Sequence, residues 1–291
     1  MPVPAQNQQY ENFIIRYKQN THGGFDYESD ETFQIVNDLF GILYVPMQEV
    51  PELELSSYSY SSIPRCYTYM DTGALSTSGV TRLHNHPYLK LQGKGTLVAV
   101  IDSGIDYLHP AFHNGVQSKI FSIWDQTLEG GADGRIPFGR EFGRQQIEQA
   151  LASENPWEIV PSSDTNGHGT RSAATAAGYR IEKDNFCGAA PEAEIVIVKL
   201  KQAKNYLRDF YLLPRDIDIF QEDDIMLAIS YVLFIAQEQQ MPLSICIGLG
   251  TSMGAHQGEG PLNEYINSMQ HLHRTQYLFL PEMKERPDTI I

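Results

Sequence analysis

Residues 98–112 read VAVIDSGIDYLHPAF, an apolar run that ends in a carboxylate and a sharp turn. The run that contains Asp102, GTLVAVID at 95–102, is short, apolar and rich in β-branched residues, which predicts a buried parallel strand. Functional groups of parallel sheets gather where strands end, so Asp102 is a candidate site residue. Taken alone, an Asp here could equally bind a ribose hydroxyl or a metal, or cap a helix.

A second stretch, DTNGHGTRSAATAAG at 164–178, places His168 between two glycines and before a run of small residues. The small residues after Arg171 predict a helix that packs closely against its neighbours. The glycines allow the backbone to bring the imidazole into a cleft at the helix N-terminus. The alternative for His168 alone is a surface histidine in a turn.

Elsewhere after residue 91, strands and helices alternate. EAEIVIVKL (192–200) and PLSICIGLG (242–250) are typical of buried strands, whereas 223–240 and 260–270 have helical spacing of apolar residues. This alternation predicts an α/β fold in which a mostly parallel sheet carries helices on both faces.

Residues 1–90 have a different sequence pattern from the rest of the chain. FIIRY (13–17) and FGILYVP (40–46) are short strand-like runs, and the Tyr/Ser/Pro-rich stretch at 56–73 predicts an ordered linker or arm. The predicted division is therefore an N-terminal segment at 1–90, a main domain at 91–275 and an atypical tail at 276–291.

Composition excludes several classes of function. The 291 residues carry a formal net charge of −15, which argues against nucleic-acid binding. We expect no membrane span and find no signal peptide, which permits a cytoplasmic or spore-associated location. The three cysteines are far apart in sequence and odd in number, which favours neither a disulfide framework nor a metal site. Cys246 is predicted to be a small buried apolar residue.

Asp102 and His168 together are far more specific than either alone. A strand-ending Asp-Ser-Gly followed by Asn-Gly-His-Gly-Thr resembles the subtilisin-like serine proteases, the subtilases, in which Asp precedes His and His precedes Ser. The resemblance implies that Asp102 orients the imidazole and that His168 acts as general base and then general acid in peptide-bond hydrolysis. It also implies a protein or peptide substrate.

Further segments extend the resemblance over about residues 10–270. GAAPEAEIVIVKL (188–200) is similar to a subtilase segment that leads into an inner strand. SICIGLG (244–250) is similar to the subtilase strand that pairs with substrate, which makes Gly248, Leu249 and Gly250 the expected substrate-binding residues.

SIWDQT (122–127), the stretch before His168 and the long Asp-to-His segment resemble the Csp-type germination subtilases of spore-forming anaerobic bacteria. In that group a segment in the place of 1–90 is a pro-region, a small α+β unit that assists folding and inhibits. Calcium is possible by family, but the sequence identifies no site for it.

Ser252, in GTSMGA at 250–255, looks like a nucleophile but is interpreted as a decoy. It follows directly on the expected substrate-binding strand, and the sequence after it is a polar Gly-rich loop that contains His256. A subtilase nucleophile instead begins a tightly packed helix after an Ala-Gly-Asn-x-Gly segment. We therefore expect no nucleophile in this chain and no hydrolysis by the chain as given.

Three hypotheses account for this absence or compete with the protease interpretation. The first is a reading-frame change in the gene of a longer protease, of which this chain is an incomplete part. Back-translating FLPEMK (279–284) and shifting the frame by one base permits the sequence Pro-Ala-Gly-Asn-Glu. A non-catalytic pseudoprotease that binds a protein partner is the second. The third, a nucleotide-binding α/β module, is disfavoured because no Gly-x-Gly-x-x-Gly or P-loop lysine motif follows a strand.

Overall fold

A six-stranded sheet forms the centre of the protein. The computed structural model describes residues 3–17, 32–50, 58–69, 91–130, 135–184, 186–251, 253, 260–272 and 277–279. The strands in chain order are β5 (Leu97–Asp102), β6 (Ile120–Asp125), β7 (Arg140–Gly143), β8 (Glu194–Lys199), β10 (Leu243–Ile247) and β12 (Tyr277–Phe279). Their spatial order is β12-β10-β5-β8-β6-β7, and every neighbouring pair except β6 and β7 is parallel. This confirms the predicted mostly parallel sheet.

Strand β5 alternates its side chains between two apolar cores. Leu97, Ala99 and Ile101 lie in the core on one face of the sheet, together with a long helix that follows Gln221. Val98 and Val100 lie in the core on the other face, together with the small-residue helix that begins at His168. Because both faces are covered, the whole strand is buried, which explains its continuous run of apolar residues.

Six helices accompany the sheet in the described part of the chain. They are α1 (Arg144–Leu151), α2 (Pro156–Ile159), α3 (His168–Ala177), α4 (Asn205–Phe210), α5 (Glu222–Gln239) and α6 (Pro261–Leu272). Helix α5 opens with three acidic residues, which the positive end of a helix dipole favours, and it ends where Gln240 adopts a φ of 53°. No helix in these described ranges has the length and apolar character that a membrane crossing requires.

The N-terminal segment forms its own antiparallel sheet but shares a core with the main sheet. Strands β1 (Tyr10–Arg16), β2 (Phe33–Ile35) and β3 (Phe40–Pro46) have the order β1-β3-β2. Side chains of this sheet, including Ile14, Phe40 and Ile42, belong to the same apolar cluster as helix α5. Two 3-10 turns, Met47–Glu49 and Tyr60–Ser62, follow this sheet in the chain.

A buried lysine fastens this segment to the main domain. The Nζ of Lys204 donates to the carbonyl oxygens of Pro4 (2.8 Å) and Tyr10 (3.0 Å) and to Asn12 Oδ1 (2.6 Å). Asn12 Nδ2 in turn donates to Asp223 Oδ2 at 2.6 Å. Burial, together with the neighbouring Lys201, lowers the pKa of Lys204 to about 7.

Part of the stretch predicted as a linker or arm is a strand. Strand β4 (Cys66–Tyr69) lies between the two short strands β9 (Phe220–Gln221) and β11 (Leu249–Gly250), and it pairs antiparallel with both. The hydroxyl of Thr68 also donates to the carbonyl oxygen of Asp218 at 3.0 Å. The sequence did not predict this strand because its apolar pattern is weak. Its hydrogen-bond partners, and not its own side chains, determine that it is a strand.

Candidate active site

Asp102 and His168 meet at the carboxyl end of the central strand β5. His168 Nδ1 lies 2.7 Å from Asp102 Oδ1 and 3.0 Å from Oδ2. An ionised carboxylate can only accept hydrogen bonds, so Nδ1 carries the proton and Nε2 is left as the basic nitrogen. Asp102 is 1% exposed and His168 7% exposed, so this Asp–His pair is shielded from bulk water.

Close contact between strand and helix depends on a glycine. A Cβ on Gly169 would clash with the carbonyl oxygen of Gly104 and would lie 3.2 Å from the Cβ of Asp102. The Gly169 amide instead donates to Ser103 Oγ at 2.9 Å. The small residues that follow, such as Ala173 and Ala177, are buried against the sheet and allow α3 to approach it.

Asp164 holds the turn that presents His168. Its Oδ2 accepts from the amide (2.8 Å) and the hydroxyl (2.6 Å) of Thr170, and its Oδ1 accepts from Ser103 Oγ (2.8 Å) and the Gly167 amide (3.1 Å). Burial alone would raise the pKa of Asp164, but these hydrogen bonds outweigh it and lower the pKa. The motif analysis missed Asp164 and Ser103, although Asp164 lies within the quoted stretch DTNGHGT.

Gly248 lies directly against the Asp–His pair. A Cβ at this position would clash with Asp102 Oδ2 and lie 3.1 Å from His168 Cε1 and 3.3 Å from Ser172 Oγ. Only glycine therefore fits between strands β10 and β11 without displacing the carboxylate. Leu249 and Gly250, the other two expected substrate-binding residues, form β11 and pair with Tyr69 and Thr68 of β4.

The remaining candidates of the sequence analysis are three cysteines and two residues that follow β11 in the chain. Ser252 and His256 lie outside the described residues. Cys66, Cys187 and Cys246 are free thiols, and Cys246 is partly rather than fully buried. Burial, with a contribution from Asp102, raises the pKa of Cys246 to about 11, so its thiol stays protonated at neutral pH.

The geometry agrees with what comparisons with known proteins find. Residues 93–211 match the Subtilase family, a segment that includes Asp102, His168 and strands β5, β6, β7 and β8. Residues 93–211 of this chain are similar to a subtilase domain. By family, such domains are those of serine-type endopeptidases.

Three relatives illustrate the extent of the similarity. The CspB protease of Clostridium perfringens is 28% identical with a TM-score of 0.55 over 68% of this chain and 37% of its own. The Arabidopsis thaliana subtilisin-like protease SBT1.4 is 30% identical over 37% of this chain and 16% of its own length. SBT1.9 of the same plant is 28% identical over 44% of this chain and 18% of its own length. The chain thus spans less than a fifth of these two curated relatives.

The structure was searched for clusters of metal-ligating side chains. Among the residues that the structure describes, no group of three or more His, Cys, Asp or Glu side chains is placed to hold a metal ion.

Proposed function

We propose that this subtilase domain is built for subtilisin-like peptide-bond hydrolysis, with Asp102 as the orienting carboxylate and His168 as general base and general acid. The observation that carries the proposal is the buried 2.7 Å contact between His168 Nδ1 and Asp102 Oδ1. This contact fixes the tautomer in which Nε2 can accept a proton from a nucleophile. The substrate class that the family implies is protein or peptide.

Substrate would pair with the segment Gly248, Leu249 and Gly250 as an added strand. Antiparallel pairing through the backbone gives affinity with little dependence on sequence, while side-chain pockets supply specificity. Support comes from β4, because a segment of this same chain already pairs with β11 on one side and β9 on the other. We propose that residues 1–90 act as a pro-region, with β4 as the inhibitory strand.

The proposal for this chain as given is that it does not hydrolyse peptides. After His168 the sequence contains no Gly-Thr-Ser other than the one ending at Ser252, and no Ala-Gly-Asn. Ser252 is proposed as a loop residue and not as the nucleophile. Without a nucleophile and an oxyanion-binding asparagine, most of the catalytic acceleration is lost.

Labelling with a serine-directed fluorophosphonate tests this. The full chain is incubated with the probe beside an active subtilisin, and the Ser252→Ala variant serves as the matched control. We expect the subtilisin to be labelled and the chain to remain unlabelled. Labelling that disappears in Ser252→Ala would make Ser252 the nucleophile and overturn the decoy interpretation.

The alternative function is that of a pseudoprotease that regulates a protein partner. Sequencing the gene from the codon for Asn267 past that for Ile291 separates the two hypotheses. A shifted frame that continues into Ala-Gly-Asn and later Gly-Thr-Ser supports the endopeptidase. A confirmed stop without such a frame favours the pseudoprotease, which a specific partner in a pull-down would then support.

A further inference from the structure

Ser172 has a buried hydroxyl that the structure leaves without a partner. The residue is 5% exposed, and its Oγ has no hydrogen-bond partner among the residues that the structure describes. A serine inside a helix ordinarily donates to the carbonyl oxygen four residues earlier, which here is that of His168. A buried donor without an acceptor costs about 1–3 kcal/mol, so an unused hydroxyl at this place calls for a partner.

The side chain of Ser172 points towards the Asp–His pair. Ser172 and His168 are four residues apart on α3 and therefore lie on the same face of the helix. Ser172 Oγ, His168 Cε1 and Asp102 Oδ2 all lie within 3.3 Å of the point that a Cβ on Gly248 would occupy. The Ser172 hydroxyl and the Asp102 carboxylate thus border the same small space.

Asp102 has acceptor capacity on the matching side. Its Oδ1 accepts from the Ser103 amide at 2.7 Å and from His168 Nδ1 at 2.7 Å. Within the described ranges, its Oδ2 has only the longer contact of 3.0 Å with the same Nδ1. A buried carboxylate has about four acceptor positions, so Oδ2 can take a further donor. The other titratable side chain that faces this carboxylate is Cys246.

We propose that Ser172 is a positioning residue for the Asp–His pair: its hydroxyl donates to Asp102 Oδ2, directly after a small rotation or through one bound water. This bond would fix the carboxylate plane and withdraw charge from it, and so moderate how strongly Asp102 stabilises the imidazolium of His168. The inference rests on the proposed function, because it assigns a role within the same site.

Titration of His168 by NMR tests this on the full chain, without any need for hydrolysis. The histidine Cε1–H resonances are assigned with His168→Gln, and the Nδ1–H proton is followed in the downfield region. In Ser172→Ala we expect the pKa of His168 to rise by about 0.5 unit and its Nδ1–H resonance to move downfield, because a donor to the carboxylate is lost. Ser172→Thr, which keeps the hydroxyl, is expected to titrate as the unaltered chain does.

The controls separate a positioning role from packing and from failure of the site itself. Thr175→Ala, one turn further along α3, should leave the titration unchanged. Equal shifts in Ser172→Ala and Ser172→Thr, or no shift in either, would overturn the role of Ser172 and leave the Asp–His pair standing. If Asp102→Asn also fails to alter the His168 titration, the pair and the proposed function fall together. Circular dichroism verifies that each variant is folded.

Discussion

At the scale of single residues, the candidate site depends as much on glycines, which have no side chain, as on the side chains of Asp102 and His168. A Cβ on Gly169 of α3 would clash with the carbonyl oxygen of Gly104, and a Cβ on Gly248, between β10 and β11, would clash with Asp102 Oδ2. The carboxylate and the imidazole are thereby enclosed by backbone on two sides. Such enclosure raises the strength of the contact between them, since water is excluded.

Gly248→Ala is expected to separate the Asp–His pair. The added Cβ must displace Asp102 Oδ2, and overpacking of this kind costs about 1–3 kcal/mol. Chemical denaturation should show this loss, and the His168 titration should move towards that of an exposed histidine. Gly143→Ala is the matched control, because a Cβ there meets nothing within 4 Å. An unchanged His168 titration in Gly248→Ala would contradict the described packing.

Asp164→Asn is expected to lower the free energy of unfolding at neutral pH and to make that free energy depend less on pH in acid. The pKa of Asp164 is lowered in the folded protein, so its contribution is present above the unfolded pKa and is lost as pH falls through the folded one. At pH 7 the variant should lose about 1–2 kcal/mol, as for a lost helix cap, and the difference should shrink in acid. Urea unfolding across pH measures it, with the exposed Glu154→Gln as control. A difference that grows in acid would refute the assignment.

At the scale of elements, the buried Lys204 is one of the contacts that attach the N-terminal sheet. Lys204→Met would remove three donated hydrogen bonds while preserving most of the side-chain volume. We expect a loss of about 3 kcal/mol and faster hydrogen exchange in β1, since hydrogen bonds of charged groups contribute about 1.5–3 kcal/mol each and are not additive. The exposed Lys94→Met serves as control. Unchanged exchange in β1 would show that apolar packing alone holds this sheet.

The same scale separates what sequence can predict from what it cannot. Strands β5 and β8 were predictable because both faces are buried and the apolar run is continuous. Strands β4 and β9 were not, because each is short and depends on partners distant in the chain. Strand β11 was predicted only as the end of one continuous strand at 242–250, which the structure divides at Gly248. Asp102 and His168 followed from a motif, whereas Ser103, Asp164 and Ser172 depend on how two loops and a helix meet.

At the scale of the whole molecule, the net charge of −15 opposes compaction. Raising sodium chloride from about 50 to about 500 mM should screen this repulsion and raise the melting temperature by about 2–4 °C. Differential scanning calorimetry measures the change. A lower melting temperature in salt would mean instead that surface ion pairs such as Arg16–Glu264 outweigh the general repulsion.

The pairing of β4 with β9 and β11 also has a consequence for competition. At the substrate-binding edge proposed above, a strand tethered within the same chain would compete at an effective concentration on the order of millimolar, whatever the concentration of the protein. A free peptide present at about a micromolar would need roughly a thousandfold tighter intrinsic binding to displace half of it. Cutting the chain after β4 would abolish that advantage, so a backbone break would convert the proposed edge from one that is occupied within the chain into one that a free peptide can exchange onto.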